Sequence, residues 1–72
     1  MTLVPSFRLS PRELRIVQLL ADGMKNPEIA TVVGATEQAV KNDLRHIYDV
    51  TGMDNRVELA LWYVAHTEST LG

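Results

Sequence analysis

Seventy-two residues make one domain at most, and so short a chain buries a small share of its surface, so that self-association would add needed burial. A hydrophobic fraction of 46% fits a folded globule rather than a disordered tail, and the lack of cysteine excludes a disulfide framework and a thiolate metal site. The net charge of −2 gives no global pull toward nucleic acid or anionic membrane, no apolar run approaches the roughly 20 residues of a membrane span, and the opening "MTLVPSFRLS" lacks the order of a secretory signal.

Residues 1–8 are expected as an N-terminal tail. The first helix begins at "SPRE": Ser10 is the N-cap, Pro11 suits the first helical position, and Glu13 completes a capping box. Leu14, Val17 and Leu20 recur at helical spacing, Ile16 and Leu19 widen the apolar face, and Gly23 is the stop. The second helix opens on "NPE", with Asn26 as cap and Pro27 as first residue. Its inward residues are Ile29, Ala30 and Val33, and Gly34 ends it. The third is capped by Thr36 and runs to about Thr51, before Gly52. In the fourth, Asn55 caps and Glu58 closes a second box. That helix runs through "LALWYVAH", and residues 67–72 are expected as a C-terminal tail. No strand pattern or repeat interrupts this all-α reading.

Only Gly34, Ala35 and Thr36 separate the second and third helices. So short a connection with a glycine forces a steep crossing, the helix-turn-helix geometry, although other small helical bundles use similar turns.

The whole run from Leu9 to His66 goes further. It resembles the LuxR-type (GerE-like, NarL/FixJ-like) DNA-binding domain. Leu9, Ser10, Arg12 and Glu13 match the family's Leu-Ser/Thr-x-Arg-Glu; Asn26, Glu28, Ile29 and Ala30 match Asn-x-Glu-Ile-Ala. Gly34, Val40 and Lys41 meet the turn and the Val-Lys-x-His helix. Gly52, Asn55, Arg56 and Glu58 meet the final Gly-x-x-Asn/Ser-Arg-x-Glu. The resemblance implies a four-helix LuxR-type helix-turn-helix domain over residues 9–66, in a regulator of transcription in the bacterial cytoplasm. It leaves open a stand-alone regulator or a piece of a longer one, Met1 favouring the former.

The resemblance also implies that the third helix lies in the major groove of double-stranded DNA, with base contacts from Lys41, Asn42 and Arg45. The residue chemistry agrees. Lys and Arg donate to guanine O6 and N7, and Asn pairs with adenine N6 and N7. With Gln38 these side chains share one side of the helix, opposite Val40, Leu44 and Ile47. An ordinary solvated face would look similar. Phosphate contacts are expected from the free backbone N–H groups around Thr36 and Glu37, from the Thr36 hydroxyl, and from Lys25, Asn26, His46 and Arg56. Asn26 has a competing role as a cap, and Arg56 has Glu58 and Asp54 as possible partners. The Arg12–Glu13 pair is structural in the family.

Charge runs against this reading. Residues 1–34 carry four basic and three acidic side chains, whereas residues 35–72 carry three and six. Asp43 stands where the family usually has His. It sits about 100° beyond Asn42, on the flank between the exposed face and the core, with His46 or a basic residue of the first or second helix as possible partners. Arg45 and Asp49 are spaced for an ion pair worth a few tenths of a kcal/mol. A helix with so little positive surplus reads DNA with reduced affinity, dependent on dimerisation or a partner.

On the fourth helix, Leu59, Ala60, Tyr63 and Val64 are expected on the core. Val57, Leu61, Trp62 and Ala65 are expected as the homodimer interface that the resemblance implies, unless Trp62 folds back over the core edge. Enzymatic chemistry is not indicated: His46 and His66 lie on different helices, with neither a nucleophile nor metal-ligand spacing beside them, and no cofactor is implied. The competing reading is an acidic member of the family that binds DNA weakly or not at all and docks on another transcription regulator.

Overall fold

The computed structural model describes residues 9–71, with side chains through residue 65. The expected N-terminal tail, residues 1–8, lies outside the described residues. These form four helices and no strand: α1 (Pro11–Ala21), α2 (Asn26–Val33), α3 (Glu37–Thr51) and α4 (Arg56–Leu71). The all-α, four-helix organisation is the one expected from the sequence. No described helix is long and apolar enough to cross a membrane.

Local chemistry sets the ends. At the start of α1 the Ser10 hydroxyl accepts from the Glu13 N–H at 3.1 Å, and Glu13 Oε1 accepts from the Ser10 N–H at 3.0 Å. At its other end the Met24 N–H donates to the Leu19 carbonyl and the Gly23 N–H to that of Leu20, which satisfies carbonyls the helix leaves open.

α2 starts one residue earlier than expected. Its N-cap is Lys25 rather than Asn26. A lysine side chain has no acceptor, so the cap is one-sided, with Glu28 Oε1 accepting from the Lys25 N–H at 3.0 Å. The Asn26 side chain is engaged elsewhere. Gly34 then turns the chain with φ 73°, and nothing lies within 4 Å of where a Cβ would stand. Glycine is needed there for its left-handed backbone, not for space.

Thr36 caps α3 as expected, its hydroxyl accepting from the Ala39 N–H at 3.0 Å. At α4 the Asn55 side chain caps the Glu58 N–H, but Glu58 Oε1 reaches the N–H of Asp54, not that of Asn55. α4 continues to Leu71, past the point where the sequence was expected to become a tail. No glycine or proline interrupts residues 56–71, so nothing local stops the helix earlier.

α1 is the central element and packs on each of the other three helices. Its Ile16, Val17, Leu19 and Leu20 meet Ile29, Ala30, Val40, Leu44, Ile47 and Leu59, with Leu9 at the edge. Each fully buried aliphatic side chain here contributes on the order of 1.5–3 kcal/mol. Leu14 and Val33 are half-buried against this core.

The two apolar sides of α4 divide differently from the expectation. Trp62 is half-buried against the core with Ala60 and Tyr63, while Val64 is 38% exposed. The helical angle explains it. At about 100° per residue, Trp62 lies about 60° from the fully buried Leu59, and Val64 about 140° from it. Val57 and Leu61, on the far side, are 68% and 64% exposed.

Candidate nucleic-acid interface

The amphipathic pattern of α3 buries Val40, Leu44 and Ile47 and therefore turns Gln38, Lys41, Asn42 and Arg45 outward, all of them exposed. Residues one turn apart pair along this face. Lys41 Nζ lies 3.8 Å from Glu37 Oε2, and Gln38 Nε2 donates to Asn42 Oδ1 at 3.2 Å. Arg45 stands apart: among the described residues it forms no ion pair, and the expected Arg45–Asp49 contact is not made.

Arg56 closes one side of the face. From the first residue of α4 it reaches back to the start of α2, where Nη1 donates to Asn26 Oδ1 at 2.9 Å and Nη2 donates to the Met24 carbonyl at 2.6 Å. The sequence offered Glu58 and Asp54 as partners. Glu58 is instead committed to the Asp54 N–H. This matters electrostatically, because both Arg56 partners are neutral and leave its charge uncancelled. Asn26, Lys41, Leu44, Arg45, Tyr48 and Arg56 together line a groove between α3 and the starts of α2 and α4. Tyr48 was not singled out from the sequence. Its position seven residues after Lys41, on the same helical stripe, is the signal that would have found it.

The opposite flank of α3 is neutralised by α1. Arg12 Nη2 lies 3.0 Å from Asp43 Oδ2, and His46 Nδ1 lies 2.6 Å from Glu13 Oε2. Of the partners open to Asp43, the structure selects the base of the first helix and not His46. Asp43 Oδ2 is shielded from solvent and receives no aligned hydrogen bond, so the contact with Arg12 is one of charge rather than of hydrogen-bond geometry. Glu13 serves two masters, the Ser10 cap and His46. Burial, the largest single influence, raises its pKa. The Ser10 N–H, the hydrogen bond and charge of His46, and the Ser10 hydroxyl together outweigh that and hold it below the ordinary glutamate value.

The remaining expected phosphate donors are not gathered in one place. Lys25 and Thr36 are exposed at the starts of α2 and α3. The His46 side chain is 55% exposed beside Glu13, on the α1 flank. The charge around α3 is therefore sided. Among the described residues Arg45 and Arg56 form no ion pair on the α2/α4 side, where Asp49 and Asp54 share a neighbouring groove with Arg45, whereas Arg12 and His46 face carboxylates on the α1 side.

Comparison with known proteins bears on this surface. Residues 8–63 match the GerE family model, described as bacterial regulatory proteins of the luxR family. The chain is 39% identical over 62 residues to a Streptomyces halstedii protein named as the HTH-type transcriptional regulator GfsR, covering 86% of this chain and 26% of that protein. It is 38% identical over 55 residues to the nitrate/nitrite response regulator protein NarL of Escherichia coli K12, covering 76% of this chain and 26% of NarL. With the two-component response regulator PprB of Pseudomonas aeruginosa it shares 37% identity over 54 residues, covering 75% of this chain and 20% of PprB. The chain thus spans about a quarter of the length of these relatives.

Proposed function

The chain belongs to the luxR family of bacterial regulatory proteins, and from that premise we propose that it is the DNA-reading part of a transcription regulator, with α3 set in the major groove. The observation that carries this is the sided charge of α3. Arg45 and Arg56 line one groove and form no ion pair among the described residues, beside a polar edge of Gln38, Lys41 and Asn42. In this reading Arg45, Asn42, Gln38 and Lys41 meet base edges. Phosphates are met by Lys25, Asn26, the Thr36 hydroxyl, the first backbone N–H groups of α3 at Glu37, and Arg56, with His46 at the margin. Against it stands the net charge of −2; two of the carboxylates near α3, Asp43 and Glu13, are held on the flank that faces α1.

Dimerisation belongs to the same proposal. Val57 and Leu61 put exposed apolar surface on α4, beside a shallow groove shared with Leu20 and Ala21 at the end of α1, with Ala65 one turn further on and Trp62 at the margin. A two-fold pair through this face would present two copies of α3 to a two-fold related DNA site.

Selection from a random duplex pool at low salt tests the proposal. The expected result is enrichment of a recurring two-fold related site, with affinity falling steeply as salt rises. A second reading, a protein-docking module that opposes another regulator, is favoured by the carboxylate pairing of Lys41, Arg12 and His46. It predicts no enriched DNA site.

A further inference from the structure

Resting on the DNA-reading proposal, we propose that Asp49 and Asp54 form an electrostatic stop. They keep DNA phosphates off the C-terminal end of α3 and so limit how far the duplex backbone settles onto the domain. Two grooves run along α3 and share Arg45 and Tyr48 as a common wall. One is also lined by Asn26, Lys41 and Arg56. The other, toward the end of the helix, is also lined by Asp49 and Asp54. Arg45 is the only cation lining that second groove, against two carboxylates. The sign of the charge therefore reverses from one groove to the next. Asp49 and Asp54 are both exposed, and neither forms an ion pair among the described residues.

Neither carboxylate serves the fold. Asp49 lies in the last turn of α3, which carries no basic side chain. The open carbonyls of a helix end are partially negative, so an anion there is disfavoured. Asp54 precedes α4, but the side-chain cap on the Glu58 N–H comes from Asn55, and only the Asp54 backbone N–H is engaged, by Glu58. What the two aspartates share is a place beside the path of the DNA backbone. Arg56, read above as a phosphate contact, stands two residues after Asp54. A strand that passes Arg56 and continues toward the end of α3 meets both carboxylates and the negative end of the helix. A carboxylate about 9 Å from a phosphate opposes binding by roughly twofold at low salt. Docking is thereby weighted toward the start of α3, where backbone N–H groups attract anions.

The experiment scans the selected duplex with methylphosphonates, each of which removes the charge of one phosphate. Wild type, Asp49→Asn, Asp54→Asn and the double variant are titrated at low salt. Neutralising a contacted phosphate weakens binding. In the wild type, neutralising the phosphates beside the end of α3 should instead raise affinity, by about twofold each. In the double variant that gain should vanish at those positions and at no others. Its affinity for the unmodified duplex should rise by about two- to fivefold, on selected and scrambled sequences alike, and the rise should shrink as salt is added. Asp→Asn keeps the shape of each exposed side chain, and thermal melts of the variants should match the wild type. The inference is overturned if no neutralised phosphate raises wild-type affinity, or if the gain persists in the double variant. It is overturned equally if the double variant binds no better, or melts well below the wild type, which would give the carboxylates a role in the fold. In all of these cases a site is still selected, so DNA reading stands. A wild type that selects no site at all overturns both.

Discussion

The Asp43 carboxylate lies 3.0 Å from the Arg12 guanidinium, so the acidic residue on the flank of α3 is neutralised by α1. The pair is partly exposed, 49% at Arg12 and 26% at Asp43, and is worth no more than about 1 kcal/mol to the fold. Asp43→Asn should therefore melt close to the wild type. It releases one positive charge within a Debye length of the docked phosphates. DNA affinity should rise at low salt and the gain should shrink as salt is added, with site preference unchanged. Arg12→Ala should do the reverse, and the double variant should return near wild type. Anisotropy titrations at two salt concentrations check this; a well-folded Asp43→Asn protein binding no better than wild type would remove Asp43 from the electrostatic account.

Arg56 ties the start of α4 to the start of α2 through Asn26 and the Met24 carbonyl. Hydrogen bonds to a charged donor are worth roughly 1.5–3 kcal/mol. Arg56→Ala should lower the melting temperature by several degrees in a domain of this size and also weaken DNA binding at low salt. Arg56→Lys keeps the charge but cannot reproduce the fork to both acceptors. It should recover binding better than it recovers stability. Melting curves of the two variants separate these roles.

Glu13 has a folded-state pKa below its ordinary value. A depressed carboxylate stabilises the fold fully above its unfolded pKa, and that contribution disappears as pH falls through the folded value. The loss therefore lies on the acid side of the ordinary glutamate range. Glu13→Gln lacks the charge at every pH. It should melt lower than the wild type at neutral pH, and the gap should close as the solution is acidified. Parallel melting curves from neutral to acid pH would show instead that Glu13 contributes nothing through its ionisation.

Most of the fold was legible because its punctuation is local. Ser10, Glu13, Thr36, Gly34 and Gly52 cap or turn the chain through bonds spanning a few residues, and each does so where its sequence neighbours indicate. The outward side of α3 was legible for the same reason, since 3.6-residue periodicity fixes it once Val40, Leu44 and Ile47 are inside. The partners were not. Arg56 has acidic neighbours two residues away on either side, yet it bonds to Met24 and Asn26 some thirty residues earlier. Asp43 and His46 lie three residues apart, yet each turns to α1. Such choices depend on which helices meet, and sequence spacing carries no record of that. At the start of α2, too, Lys25 is the cap in place of Asn26, whose side chain instead accepts from Arg56 of α4.

The α4 face makes a separate prediction. Val57 and Leu61 are 68% and 64% exposed, so replacing both with serine should leave the monomer's core intact. The double variant should sediment as a weaker dimer than the wild type and bind a two-fold related site less tightly, with little change on a single half-site. Unchanged self-association would place the dimer contact on another surface.

The central claim is that α3 reads bases, and Arg45 tests it most directly, being the exposed cation on that face without an ion pair among the described residues. The measurement is the ratio of affinities for the selected duplex and for a scrambled duplex, in wild type and Arg45→Ala, at one fixed salt concentration. The account predicts that Arg45→Ala loses roughly 1–3 kcal/mol on the selected duplex and much less on the scrambled one, so that the ratio collapses. Equal losses on both duplexes would mean that Arg45 touches phosphate alone, and no loss on either would contradict the placement of α3 in the groove.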